Sequence, residues 1–146
     1  MTALDPPTSP SPTLSPAARR FLEAPRLAVV ATINADGSPF QAVVWYLLED
    51  DTIVFNSRVG RHWPSNLARD RRVSIIVVDG EDYVDLRGEV EIDDDPEVGQ
   101  AVITALAKRY EPDQAAAERQ IAGFAAQRRV TFRLRPSKVF ERFGGD

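Results

Sequence analysis

The chain has no cysteine, a single histidine and a single methionine. Without thiols there is no disulfide framework, no thiol nucleophile and no thiolate metal site. One histidine with neither Cys nor clustered carboxylates cannot assemble a typical zinc ligand set, so no metal is expected. Long apolar runs are missing too. None approaches the roughly 18 to 20 residues that span a bilayer, and the N-terminus lacks the basic-then-apolar layout of a signal peptide, so a cytoplasmic protein is expected. Nor is there an excess of positive charge: the net charge of -4 argues against non-specific binding to nucleic acid, although a local basic patch can still hold a small anion. There is no G-x-G-x-x-G loop, no recognisable Ser-His-Asp set, no internal repeat and no dividing linker. No catalytic residue is assigned.

What is present fits one soluble domain. At 146 residues, 43% hydrophobic and 27% charged, the chain is long enough to bury a core. Residues 1–14 hold Pro6, Pro7, Pro10 and Pro12 among Ser and Thr, which predicts a flexible or extended arm dispensable for folding, ahead of a single domain over residues 15–146. Ser15 and Pro16 supply an N-cap and a first helical residue, and a short helix runs to Ala24. The β-rich run at residues 27–33, the turn Asn34-Ala35-Asp36-Gly37-Ser38 and the run at residues 40–48 read as a hairpin. A third strand at residues 52–56 follows with no helical crossover, so the sheet is antiparallel. Residues 73–78 are almost continuously apolar and read as buried on both faces. Residues 83–92 alternate strictly, with Val84, Leu86, Gly88, Val90 and Ile92 on one face and Tyr83, Asp85, Arg87, Glu89 and Glu91 on the other. Gly88 marks a bulge or a close approach by another backbone. Asp95-Pro96 opens a helix that Tyr110-Glu111-Pro112 stops, residues 113–128 form a second, and residues 130–134 form a last strand. Six strand-like runs in meander order with a helical excursion predict a mainly β fold, a six-stranded, partly closed antiparallel barrel with peripheral helices.

The stretch from Asn56 to Arg72 carries the functional signal. A strand gives out at Asn56, and the chain passes through Gly60 into a helix that Pro64 is placed to start. Helix N-termini present free N–H groups and a positive dipole end, so Ser57, Arg58 and Arg61 beside one make the parts of a phosphate site. His62 and Trp63 lie within it, and a flat apolar ring beside fixed cations suits a ligand with a phosphate tail and a planar head. Arg69, Arg71 and Arg72 read instead as solvating the far end of the helix. Trp45 reads equally as a core aromatic or a pocket wall, and Arg133 and Arg135 as solvent or interface residues.

Several segments together resemble the pyridoxamine 5'-phosphate oxidase-like split β-barrel superfamily, in particular its F420-dependent flavin/deazaflavin oxidoreductases. They are Leu27-Ala28-Val29-Val30-Ala31-Thr32, Asp36-Gly37-Ser38-Pro39, Val43-Val44-Trp45-Tyr46, Arg72-Val73-Ser74 and, most specifically, Gly60-Arg61-His62-Trp63-Pro64-Ser65-Asn66-Leu67-Ala68-Arg69-Asp70. The resemblance implies a split barrel of the FMN-binding type, and a homodimer with cofactor sites at the subunit interface. It also implies phosphate held by Ser57 and Arg61, a helix start pinned by Asn66, and an isoalloxazine-type ring lined by Val43, Val44 and Trp45. Arg87 on the strand that follows is a further candidate for the cofactor or the interface. Many members carry Lys where this chain has Trp63. The activity implied is hydride transfer between F420 and a small conjugated substrate. An FMN-dependent oxidase or reductase, or a non-enzymatic carrier of such a cofactor, would use the same fold.

Overall fold

A computed structural model describes residues 13–144, so the expectation for residues 1–12 lies outside the described residues. Eight strands and four helices follow in the order α1 (Pro16–Glu23), β1 (Ala28–Ile33), β2 (Pro39–Val44), β3 (Leu47–Glu49), β4 (Thr52–Arg58), α2 (His62–Arg69), β5 (Arg72–Asp79), β6 (Asp82–Asp93), α3 (Pro96–Tyr110), α4 (Gln114–Phe124), β7 (Arg129–Leu134) and β8 (Lys138–Arg142). All pairings are antiparallel, in the order β2-β1-β5-β6-β7-β4-β3, with β8 also on β6. The result is the expected mainly β split barrel, with eight strands in place of six.

Both extra strands have physical causes. The run at residues 40–48 breaks because its two central aromatics are claimed by different elements. The Tyr46 hydroxyl donates to the carbonyls of Leu22 and Ala24 at the end of α1, at 2.9 and 3.2 Å, while Trp45 stacks on Tyr110 at the end of α3 with centroids 5.2 Å apart. β2 therefore pairs with β1, and β3 pairs with β4. The second addition is β8, which pairs with the first half of β6 while β7 pairs with the second half. Gly88 sits at that changeover. A Cβ there would lie 3.1 Å from Leu134 Cδ1 and 3.2 Å from the Ser137 nitrogen, so another backbone does approach closely, as its place in the strand predicts.

The principal core fills the barrel, from Leu14, Phe21 and Leu22 through Val30, Tyr46, Phe55, Leu67, Ile75 and Leu86 to Phe132 and Leu134. Leu14 is only 8% exposed, so the packed domain begins there and not at residue 15. A second cluster, Val54 with Val102, Ile103 and Leu106, fastens α3 to the back of β4. Caps follow the sequence: the Ser15 hydroxyl accepts from the Ala18 N–H, and Asp95 from the Glu97 N–H. One expectation is corrected. In β5, Val73, Ile75 and Val77 are buried, but Ile76 is half-buried and Val78 is 50% exposed, so one face of this apolar strand is open.

Candidate functional site

β4 continues to Arg58, paired with β7 on one side, but β3 leaves its other side at Val54. The strand edge beyond Val54 has no ladder partner there, and a cleft of about 270 Å³ opens beside it. The end of β2 forms one wall through Val43, Val44 and Trp45. The end of β4 and the following loop contribute Asn56, Ser57, Arg58, Arg61 and Trp63. The excursion adds Ile103, Leu106 and Phe124 as an apolar wall, with Gln127 and Arg129 beyond them. The lining thus combines three cations with an apolar wall, and the two meet where the Arg129 guanidinium lies 5.0 Å from the Phe124 ring centroid.

These cations are uncompensated. No carboxylate lines the cleft, and none of Arg58, Arg61 and Arg129 has an ion pair among the described residues. Arg58 and Arg61 are exposed, whereas Arg129 is only 8% exposed. Burial, and then the neighbouring charges of Arg61 and Arg58, draw the Arg129 pKa down to about 10, which leaves it cationic at neutral pH. Its Nε donates to Asn56 Oδ1 at 3.2 Å, another N–H donates to Gln127, and its guanidinium lies 5.0 Å from the centroid of Phe124. The Ser57 hydroxyl is buried and has no hydrogen-bond partner among the described residues. Gly60, at φ 99°, supplies the left-handed turn that delivers Arg61 to the N-cap of α2, where no side chain caps the helix.

Eight of the eleven residues expected at the site meet in this cleft: Val43, Val44, Trp45, Asn56, Ser57, Arg58, Arg61 and Trp63. Three stand elsewhere. His62 Nε2 lies 2.7 Å from Asn34 Oδ1, with its ring 4.6 Å from that of Phe40. Asn66 is buried and donates to Thr32 Oγ1 at 3.1 Å and to Asn34 Oδ1 at 2.9 Å, so it pins α2 to the β1–β2 hairpin. Arg87 pairs with Asp85 at 3.0 Å and covers Phe140 on the outer face of the sheet. Three further readings are corrected. Trp63 is no open platform: at 6% exposure it packs against the stacked pair Phe55 and Phe132 in the core. Pro64 does not start α2, which begins two residues earlier at His62. Arg69 does not merely solvate the helix, since it donates to the Ile33 carbonyl at 2.7 Å and to Asn66 Oδ1 at 2.8 Å. The residues that went unforeseen, Ile103, Leu106, Phe124, Gln127 and Arg129, all come from the excursion and its return. The one signal for Arg129 was an arginine opening a strand otherwise written for burial.

Fold and site together define an antiparallel split barrel with a one-sided, anion-ready cleft at the split. The family model of pyridoxamine 5'-phosphate oxidase matches residues 14–143, and the chain belongs to that family. Among solved structures, it is similar to the conserved hypothetical protein Rv2991 from Mycobacterium tuberculosis, with 25% identity over 92% of this chain and 94% of that one and a TM-score of 0.73. It is also similar to an F420 reductase, at the same 25% identity over 86% of this chain and 98% of that one, with a TM-score of 0.69. HutZ, the heme storage protein from Vibrio cholerae, shares the fold at 19% identity over 90% and 97%, TM-score 0.68. No curated protein matches the sequence significantly.

Proposed function

We propose that the protein is an F420-dependent oxidoreductase that transfers a hydride between the deazaflavin and a small conjugated substrate. The observation that carries this reading is the make-up of the cleft, three guanidiniums without an ion pair among the described residues together with an apolar wall and Trp45, which fits a cofactor with an anionic tail and a planar head. Likeness to an F420 reductase favours the deazaflavin over FMN. These arginines are what a bound phosphate would satisfy, so the residues present fit the group. When bound, F420 supplies the hydride chemistry. The chain's own residues bind and orient: Arg58, Arg61 and Arg129 hold the anion, while Ile103, Leu106 and Phe124 exclude water from the ring end. The lining from this one chain contains no carboxylate, histidine or tyrosine, so in this reading the proton comes from solvent or from a residue outside this lining.

The functional unit in this reading is a homodimer. Ligand pockets usually offer roughly 300 to 1,000 Å³, and about 270 Å³ in one chain leaves the site short of a wall. The open sheet face supplies one. Val43, Val29 and Ile76 stand in one row across β2, β1 and β5, extended by Leu27 and Val78 beside the Ala28–Val77 pair. Leu27, Val43 and Val78 are at least half exposed. Val43 belongs both to this face and to the cleft, so a second copy docked there reaches the site.

The test is to titrate the cofactor-free protein with F420 and FMN side by side and follow the absorbance of each. Preferential F420 binding supports the reading; FMN binding with none for F420 transfers the function to the flavin, and binding of either without turnover under any reductant makes the protein a carrier. Light scattering checks the dimer, whose interface should bury more than about 1,200 Å². A monomer at micromolar concentration sinks that part, and Val43→Asp should produce one.

A further inference from the structure

We propose that Tyr110, which does not line the cleft, is a positioning residue: it fixes the plane of the Trp45 ring, and through Trp45 it sets how tightly the cleft holds a planar ligand. The proposal rests on reading the cleft as the site of such a ligand, and it adds a residue that stands behind the wall. Three aromatic side chains line the cleft. Trp63 is packed into the barrel core and Phe124 lies against the Arg129 guanidinium, but Trp45 stands at the break between β2, which ends at Val44, and β3, which starts at Leu47. No ladder partner fixes it among the described residues. Its ring is fixed instead by Tyr110, on which it stacks with centroids 5.2 Å apart and planes within 5° of parallel.

Tyr110 can serve this way because its own ring is tied at both ends. Its backbone is the last residue of α3, while its hydroxyl donates to the Arg26 carbonyl at 2.6 Å and accepts from the Tyr46 N–H at 3.2 Å. Arg109 closes the same clamp. It donates to the carbonyls of Leu22, Glu23 and Ala24 at 2.9 to 3.0 Å, and its guanidinium lies 5.1 and 5.5 Å from the ring centroids of Tyr46 and Tyr110. The end of α3 is thereby bolted to the end of α1, and the face of Tyr110 becomes a fixed surface for Trp45. Two roles are separable in this one side chain: the hydroxyl holds the fold, and the ring face holds Trp45. A planar ligand that meets a ring already held in place does not have to order it on binding, so the stack contributes to affinity without touching the ligand.

The experiment uses the full chain, freed of copurifying cofactor, and titrates it with F420 and with FMN by absorbance, well below the melting temperature. In parallel, acrylamide quenching of Trp45 fluorescence is measured in a Trp63→Phe background, which leaves Trp45 as the one tryptophan. Tyr110→Met removes both the flat face and the hydroxyl, and should raise the quenching of Trp45 about twofold and weaken binding of the preferred cofactor by about three- to tenfold, the range an aromatic pair is worth. Tyr110→Phe keeps the face and loses the two hydrogen bonds, so it should melt lower than the parent and yet quench and bind within about twofold of it. Trp45→Leu should weaken binding at least as much as Tyr110→Met, and the double variant should bind as Trp45→Leu alone does, because Tyr110 acts only through Trp45. If Tyr110→Met does not fold, Tyr110→Leu takes its place. The proposal is overturned if the Met variant leaves quenching unchanged, if Tyr110→Phe weakens binding as much as Tyr110→Met does, or if the two losses add in the double variant. If the parent binds neither cofactor, the cofactor reading fails while quenching still tells whether Tyr110 holds Trp45; if the parent binds one and any overturning result appears, Tyr110 drops out alone.

Discussion

Two polar regions border the same helix, and they are finished to different degrees. At the inner side of α2, His62, Asn66 and Arg69 join Thr32, Asn34 and the Ile33 carbonyl in a network in which each side chain has a partner at 2.7 to 3.1 Å. At its N-terminal side, among the described residues, Ser57 has none and three arginines face a cleft without a carboxylate. The buried members, Asn66 and Thr32 in one region and Ser57 and Arg129 in the other, all give up water, and only in the first is every one of them bonded to its neighbours. A completed network holds structure together. The cleft differs in that its three arginines have no ion pair among the described residues, which is what the proposed anionic ligand would supply.

The sharpest way to break the comparison is Asn66→Ala. The change strips partners from Thr32, Asn34 and Arg69 at a position only 1% exposed. We expect a loss of about 3 kcal/mol, since orphaned buried groups cost about 1 to 3 kcal/mol each and neighbours relax in part. In a domain of this size that lowers the melting temperature by roughly 10 °C. A change below about 2 °C would show that the network is ornamental, and the contrast with the cleft would lose its meaning.

Arg61→Ala probes the other region and should show the opposite profile. With no protein partner for its guanidinium, the folded state loses little, and the melting temperature of the free protein should stay within about 2 °C. Cofactor affinity should fall by about tenfold, near the lower end of the roughly 1.5 to 3 kcal/mol that charge-assisted hydrogen bonds contribute, because the residue is exposed. Side-by-side titration of parent and variant measures it. Unchanged affinity for F420 and FMN alike would remove Arg61 from the site.

The same contrast explains what could be read from the sequence. Local chemistry was legible: the Asp36-Gly37 turn, with Gly37 at φ 87° and Ser38 bonded back to Asp36, the Ser15-Pro16 and Asp95-Pro96 helix starts, and the alternation of β6. Loop residues of the site were legible for the same reason, since Ser57, Arg58 and Arg61 lie within five positions of one another. Arg129 and Gln127 were not, because they reach the cleft through the β4–β7 ladder, about seventy residues away in sequence, as the Asn56–Arg129 bond shows. Periodicity also misled at β5, where an unbroken apolar run reads as burial on both faces while Ile76 is half-buried and Val78 exposed. Trp63 looked like a platform because composition cannot tell a ring beside cations from a ring beneath them.

Residues 1–12 set a smaller test. If the packed domain begins at Leu14, deleting them should leave the melting temperature within about 2 °C, whereas deletion through residue 15 also removes a core side chain, the α1 cap and the Ser15 bonds to Glu141, and should cost about 2 to 3 kcal/mol. Comparing the two melts locates the boundary. A loss on the shorter deletion would show that the arm packs on the barrel or on a partner.

The smallest effect is expected at the far end of the same stretch, where Arg72 closes on Asp70 with Nη2–Oδ2 at 2.7 Å and Nε–Oδ1 at 3.0 Å. Here a cation already has its carboxylate, on the surface, so it has nothing left to offer a ligand. Arg72→Ala should therefore leave F420 and FMN affinity within a few-fold of the parent. The hydrogen bonds from the Arg72 side chain, then from its backbone N–H, hold the Asp70 pKa at about 2, below its ordinary 3.8. A carboxylate whose pKa is depressed on folding stabilises the fold above the unfolded value and loses that contribution as pH falls through the folded one. The parent should thus have a slightly higher melting temperature than Arg72→Ala at pH 7, with the difference fading between about pH 4 and pH 2. If Arg72→Ala instead weakens cofactor binding more than Arg61→Ala does, the phosphate lies at the wrong end of α2, and the division between a completed network and an open cleft does not mark the site.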